Sequence, residues 1–280
     1  MPGWTGIALA LEEPGGDEMA SRLPTYLHPV AGRPLVWHAL AALASNSTPP
    51  ERLILLTRPD LSPDLFSDLA VEPEVVRVDD DGIGGALATL NMDGPIILSD
   101  GAAPLLSTVP RTMLQGPPDS WLDDGETSAS AACIDIDRLR EVATHADPLS
   151  ALRGILPADG RISHPLECRV VRRRADLASV GAALRDALVA KLMAGGATFL
   201  LPETVLVDVD VRVGRDSIIY PGVVLEGQTN IGDETVIGPG CRIIDSWVGS
   251  GVELKGWNFI AHTSIRNRAI LEPYVRRGYD

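Results

Sequence analysis

Four things are scarce in this sequence: aromatic side chains, cysteine, basic residues and long apolar runs. Each shortage removes a class of protein. Phe, Trp and Tyr supply 4% of the 280 residues, too few for a core of large rings, so aliphatic side chains must fill the interior. Cysteine occurs three times, at Cys133, Cys168 and Cys241, with no C-x-x-C spacing. An odd, scattered set excludes a disulfide framework and points to reduced, buried thiols in a cytoplasmic protein. Lys and Arg number 24 against 38 Asp and Glu, a formal charge of −14. That balance argues against a nucleic-acid partner, which wants a basic face, and against an anionic membrane surface. The apolar run at residues 6–11 follows no basic segment and is too short for a signal peptide or a membrane span.

What is present is a repeat. Hydrophobic residues make up 45% of the chain, with 27 Gly and 22 Pro, a composition suited to a turn-rich architecture. From Val207, branched aliphatics recur every six residues at Val213, Ile219, Leu225, Ile231, Ile237 and Ile243. The rhythm slips by one to Val248, continues through Leu254 and Ile260, slips again to Ile265 and reaches Leu271. Neither the 3.6-residue period of a helix nor the period of two of a strand yields six such steps. Hexapeptides of this kind build a parallel β-helix, three flat sides to a coil, with the aliphatic pointing into the shaft and Gly, Asp and Asn at the corners. Residues 207–271 predict between three and four coils.

Upstream, residues 175–194 carry Leu177, Val180, Leu184, Leu188, Val189 and Leu192 at helical spacing, stopped by Gly195 and Gly196. Residues 1–170 alternate buried-strand patterns (5–11, 52–57, 75–78, 95–98 and 131–136) with helical ones (35–44, 84–91 and 137–144). Such alternation predicts a mostly parallel sheet covered by helices. The Pro-, Asp- and Ser-rich residues 115–130 read as a loop. The predicted organisation is an α/β domain over 1–174, an arm helix over 175–196 and a β-helix over 197–280.

Three segments carry a family resemblance. Residues 21–35, SRLPTYLHPVAGRPL, are similar to the pattern S-x-L-P-K-x-L-H-x-x-A-G-x-P; residues 176–198 match an arm helix; and residues 213–246 match a hexapeptide domain, including the five-residue slip after Ile243. Together they resemble the bifunctional N-acetylglucosamine-1-phosphate uridyltransferase / glucosamine-1-phosphate acetyltransferase family, whose product is UDP-N-acetylglucosamine. The resemblance implies a Rossmann-like nucleotidyltransferase domain, an arm and a left-handed β-helix in a cytoplasmic homotrimer. Residues 105–170 match poorly.

The resemblance also implies a nucleotide site, and this sequence departs from it. Where the family has the phosphate loop G-x-G-T-R-M, this chain has Pro14, Gly15, Gly16, Asp17, Glu18 and Met19, after Glu12 and Glu13. Pro14 has no N–H for a phosphate. Glu18 replaces the arginine, and Thr25 replaces the lysine of L-P-K. One like-charge pair at about 4 Å costs roughly 4 kcal/mol at an effective dielectric near 20, so several would suppress triphosphate binding by orders of magnitude. By family position the remaining nucleotide contacts are Leu11, Gly16, Arg77, Gly82 and Ile83, with Arg77 and Ile83 replacing the Gln and Thr that read the base. Asp100 matches the metal-binding Asp with spacing one residue too long. The second metal ligand, an Asn, falls on Arg172 or Arg173, and a cation opposes Mg²⁺, the cofactor of any nucleotidyl transfer that remains.

The family's acetyltransferase residues lie beyond position 280, apart from a faint echo at Arg276 and Arg277. His262, near Asn258, is the one candidate base for a separate acyl transfer, set against a corner histidine on a solvated turn. His28 reads as a loop-ordering residue, and His38, His145 and His164 show no ligand spacing. Trp247 and Trp257, beside the slips, read as shields for a coil edge or as a partner contact. The combined expectation is a catalytically impaired oligomer, a homotrimer or a mixed oligomer with a complete family enzyme, acting as scaffold or regulator. The alternatives are a nucleotidyltransferase of altered specificity and a hexapeptide acyltransferase using His262.

Overall fold

Strand β1, Thr5–Ala10, is buried along its whole length, which a strand achieves only between two neighbours and beneath helices on both faces. It pairs in parallel with β4 (Arg52–Thr57) on one side and β6 (Ile96–Asp100) on the other. Beyond β4 lies β5 (Glu74–Arg77), also parallel. Beyond β6 the sheet changes sense: β8 (Ala129–Ile134) runs antiparallel to β6 and to β7 (Ser120–Asp123), and β9 (Arg161–Ile162) is parallel to β7. The order is β5-β4-β1-β6-β8-β7-β9. Helices α1 (Leu35–Ala44), α2 (Gly84–Thr89), α3 (Val109–Gln115), α4 (Ile136–Glu141) and α5 (Pro148–Ile155) fill the connections. Ile7, Leu9, Ile54, Leu56, Ile96 and Leu98 pack on one face with Ile83, Leu87, Leu139 and Leu152.

This is a computed structural model describing residues 3–12, 19–45, 48–59, 61–78, 82–90, 92–106, 109–123, 129–163 and 166–279. The chain forms two units: Met1–His28 with Pro34–Val180, and Pro29–Arg33 with Gly181–Asp280. The sheet is mostly parallel and covered by helices, as the alternation predicted. Residues 115–130 differ from the loop expected of them. They contain β7 and the start of β8, because Ser120, Trp121 and Leu122 are sandwiched between β8 and β9 and buried there. A four-residue strand held by tertiary partners leaves no periodic signature.

The next helix, α6, runs Arg174–Ala194. It ends as its glycines require. Gly196 adopts φ +106°, its N–H donates to Met193 O at 3.0 Å, and Ala197 N–H donates to Leu192 O at 3.2 Å. These are the paired bonds of a left-handed helix cap.

The second unit is a left-handed β-helix with five short parallel strands on two faces and four on the third. It is longer than the period indicated, starting at Thr198–Phe199 and reaching Arg276–Gly278. Phe199 is in register with Ile219, and Arg277 with Ile260, positions that an aliphatic search passes over. Ile219, Leu225, Ile231, Ile237, Ile243, Val248, Leu254 and Ile260 form its shaft and are almost wholly buried. The one-residue slips are coil shortenings: Arg212 pairs Asn230, 18 residues on, whereas Asn230 pairs Trp247, 17 on. Side chains at the corners tie coil to coil, as where Asp233 Oδ1 accepts Arg215 N–H (2.8 Å) and Asn267 Oδ1 accepts Ser250 N–H (3.1 Å). The turn Pro29–Arg33 belongs to this unit. Ala31 O accepts Val209 N–H at 3.1 Å, and Arg33 donates Nε and Nη2 to Asp210 Oδ2 at 2.9 and 2.7 Å. Among the described residues no helix is long and apolar enough to cross a membrane.

Candidate functional site

In an open α/β sheet a crevice forms at the strand carboxyl ends where the winding direction reverses. Here the chain passes from β1 to β4 and β5, then returns to β6 on the other side of β1. The reversal therefore lies between β1 and β6, and the residues leaving those strands are Leu11 and Glu12 on one side and Asp100 and Gly101 on the other. Leu9 is in register with Asp100, and Gly101 N–H donates to Leu9 O at 2.8 Å.

Asp100 is largely withdrawn from solvent, and its Oδ1 accepts Ala102 N–H at 2.8 Å. Burial pushes its pKa up to about 6. The Ala102 N–H and the Arg172 charge pull against that rise, and the charges of Asp147 and Glu12 add to it. Four charged groups thus share one electrostatic neighbourhood, three of them acids. Asp147 was not anticipated from the sequence. It caps α5, accepting Ser150 N–H at 3.0 Å, and the Asp-Pro pair that starts that helix was the only signal available.

Glu12 is further occupied. Its carboxylate accepts both the N–H (3.2 Å) and the hydroxyl (2.9 Å) of Thr25. Thr25 is buried at the start of a single 3₁₀ turn, so the position where the resembled family has a lysine holds a neutral hydroxyl committed to an acid. Pro14, Gly16, Asp17 and Glu18 lie outside the described residues.

The base-reading positions are also placed. Arg77 ends β5 and is exposed. Gly82 has φ +97°, and a Cβ there would stand 2.5 Å from Ala143 O. Ile83 donates its N–H to Ala143 O at 2.9 Å and is fully buried in the core. This turn is docked on the chain after α4, and Ile83 serves packing rather than a crevice. Leu11 is half-buried against the same core.

Arg172 and Arg173 both donate backbone N–H groups to Asp176 Oδ2, at 3.1 and 2.9 Å. Burial opposes ionisation of Asp176, but the N–H groups of Arg173 and Arg172 and the Arg173 charge outweigh it and hold its pKa below the usual value. The residues fit Mg²⁺ poorly. One Asp100 oxygen already holds an N–H, Arg172 contributes a cation, and among the described residues no three His, Cys, Asp or Glu side chains gather as ligands.

The remaining candidates are dispersed. His28 is buried with Nε2 lacking a partner among the described residues, and His38 packs edge-on against Trp37. His262 occupies a solenoid corner with φ 47°. Asn258 is not its catalytic neighbour: its amide donates to Glu272 O at 2.7 Å and its Oδ1 accepts Gly256 N–H at 3.2 Å, bracing a turn. Trp257 lies across Gly240 of the preceding coil, and the Arg276 guanidinium sits 4.9 Å over the Phe259 ring. None of the three cysteines is in a disulfide, all are buried, and burial pushes the Cys133 thiol up to about 11.

A mostly parallel, helix-covered sheet joined in one chain to a hexapeptide solenoid defines the architecture. The family "Bacterial transferase hexapeptide (six repeats)" matches residues 210–245. The α/β unit resembles the solved structure of a nucleotidyl transferase from Methanothermobacter thermautotroptrophicus, with a TM-score of 0.51 and 18% identity over 68% of this chain and 100% of that one. "Bifunctional protein GlmU" of Alkaliphilus oremlandii is 27% identical across 96% of this chain and 71% of its own length. The protein of that name from Mycobacterium tuberculosis is 27% identical across 99% and 69%, and that of Geobacillus is 32% identical across 54% and 36%. The chain is thus similar, over nearly its whole length, to proteins of that name.

Proposed function

We propose that this chain is a catalytically impaired member of its family, acting as an oligomeric scaffold or regulator of UDP-N-acetylglucosamine synthesis in the cytoplasm. One observation carries the reading: Thr25, at the lysine position, is buried and bonded to Glu12, whose charge, like that of Asp147, raises the pKa of Asp100. Nucleotidyl transfer needs cations where charge builds on the phosphates. An acid-lined crevice opposes polyphosphate before any chemistry begins. The hexapeptide shaft supports assembly, and the proposed form is a trimer, alone or mixed with a complete enzyme. Its parts are an α/β domain over 1–174, an arm over 175–196 and the β-helix over 197–280.

Calorimetric titration of the full chain with UTP in Mg²⁺ tests the proposal, with no heat of binding expected at micromolar nucleotide. Micromolar binding, or pyrophosphate release from any of a panel of nucleoside triphosphates and sugar 1-phosphates, overturns it in favour of altered specificity.

A further inference from the structure

On one face of the solenoid the outward-pointing residues of successive strands are Asn230, Trp247 and Ser264, in register, with Ile231, Val248 and Ile265 turned inward behind them. The corner leading into this face stacks Gln228, Asp245 and His262 from successive coils. Together with Ser246 and Thr263 these six residues line a groove of about 530 Å³, inside the roughly 300–1,000 Å³ range of small-molecule sites.

The corner is fixed by backbone. Asp245 and His262 both adopt positive φ, 41° and 47°, and Asp245 Oδ1 accepts Gln228 N–H at 2.8 Å. Its other oxygen faces His262 Nδ1 at 3.8 Å, and Tyr279 stacks on the imidazole at 5.4 Å between centroids. Trp247 is 46% exposed. Neither its indole N–H nor the side chains of Gln228, Asn230 and Ser264 make a hydrogen bond to any described residue.

The lining excludes most ligand classes. It contains no Lys or Arg, so nothing there neutralises a phosphate or other anion. Its only large apolar surface is one indole, too little to hold an acyl chain. A divalent transition metal would need a third donor beside Asp245 and His262, and none gathers among the described residues. What fits is a neutral molecule with one apolar face for the indole and many hydroxyls for the unpaired amide and hydroxyl groups. We infer that this groove is a carbohydrate-binding site for a short neutral saccharide, with Trp247 as its platform. The site lies wholly within the solenoid and stands or falls independently of the impaired crevice.

Saturation-transfer NMR and calorimetry on the full chain, with chitobiose, cellobiose and maltose as probes and glucose 1-phosphate as a charged control, test this. At least one neutral disaccharide should bind with a Kd of about 1 mM or tighter, and Trp247→Ala should weaken it at least tenfold. Gln228→Ala should weaken it less, and it keeps the test informative if the Trp variant is unstable. Silence of all three disaccharides at about 10 mM, preference for the phosphorylated sugar, or binding indifferent to both substitutions overturns the site. So does dissociation of the oligomer by Trp247→Ala in sedimentation, which would make this face a contact between copies of the chain.

Discussion

The two units of this chain carry sequence change differently. In the solenoid each inward position asks only for a branched aliphatic of suitable volume, and the demand is spread over many equivalent places. Phe199 and Val248 occupy the same kind of position as Ile237, and a coil can shorten from 18 residues to 17 while the pairing continues. The crevice of the α/β unit asks for particular charges at single places. A carboxylate at Glu12 and a hydroxyl at Thr25 leave the surrounding sheet intact yet reverse the local electrostatics. Fold requirements are distributed and chemical requirements are point-like, so a fold tolerates substitutions that a site does not.

The sharpest contrast is in stability. Ile237→Ala, in the fully buried shaft, should destabilise the solenoid by about 2–5 kcal/mol in denaturant unfolding; a loss near zero would mean that the coils do not share a core. In the crevice a substitution should do the opposite. Asp100 has a folded pKa raised to about 6, so its ionisation opposes folding, and stability falls as pH rises from about 4 through 6. Asp100→Asn should therefore stabilise the protein by about 2–3 kcal/mol above pH 7 and by almost nothing below pH 4. Thermal melts across that range check both the size and the window.

A smaller effect probes the charge reversal itself. Pairing Glu12→Gln with Thr25→Lys restores one cation and removes one acid, and Mg-UTP affinity should rise by about tenfold or more in calorimetry. No change would mean that these two side chains do not govern nucleotide affinity. The smallest expected effect concerns the turn that the solenoid borrows from the N-terminal sequence. Arg33→Ala removes a part-exposed ion pair with Asp210 and should cost about 0.5–1 kcal/mol, visible as a slightly lower melting midpoint of the solenoid transition.

Much of this was legible before any coordinates. The six-residue period exposed the β-helix because its physical cause, one inward side chain per flat side, recurs along the whole stack with only two one-residue slips. Helix α1 and strand β4 were read with their full bounds because each is long and apolar enough to dominate its own window. The middle of the α/β unit was opaque. Strand β7 is four residues long and carries an Asp at its end, Asp123, which pairs with Arg153 and Arg161, so its burial depends on groups 30 or more residues away. The acid cluster was half legible. Glu12, Thr25 and Asp100 were named from the family pattern, while Asp147 belongs to a segment that matched poorly. Ile83 was read as a lost base contact, whereas its side chain completes the core.

The sequence by itself determined the long elements and their order outside residues 105–170, because hydrophobic period and turn chemistry are local and survive in one dimension. Tertiary structure alone decided which distant groups share a field: that Thr25 answers to Glu12, that Asp100 sits among acids, and that Asn230, Trp247 and Ser264 line up on one face. Electrostatic and hydrogen-bonding energies depend on separations in space, and a coil of 17 or 18 residues turns a spacing in sequence into a neighbour only once the chain is wound.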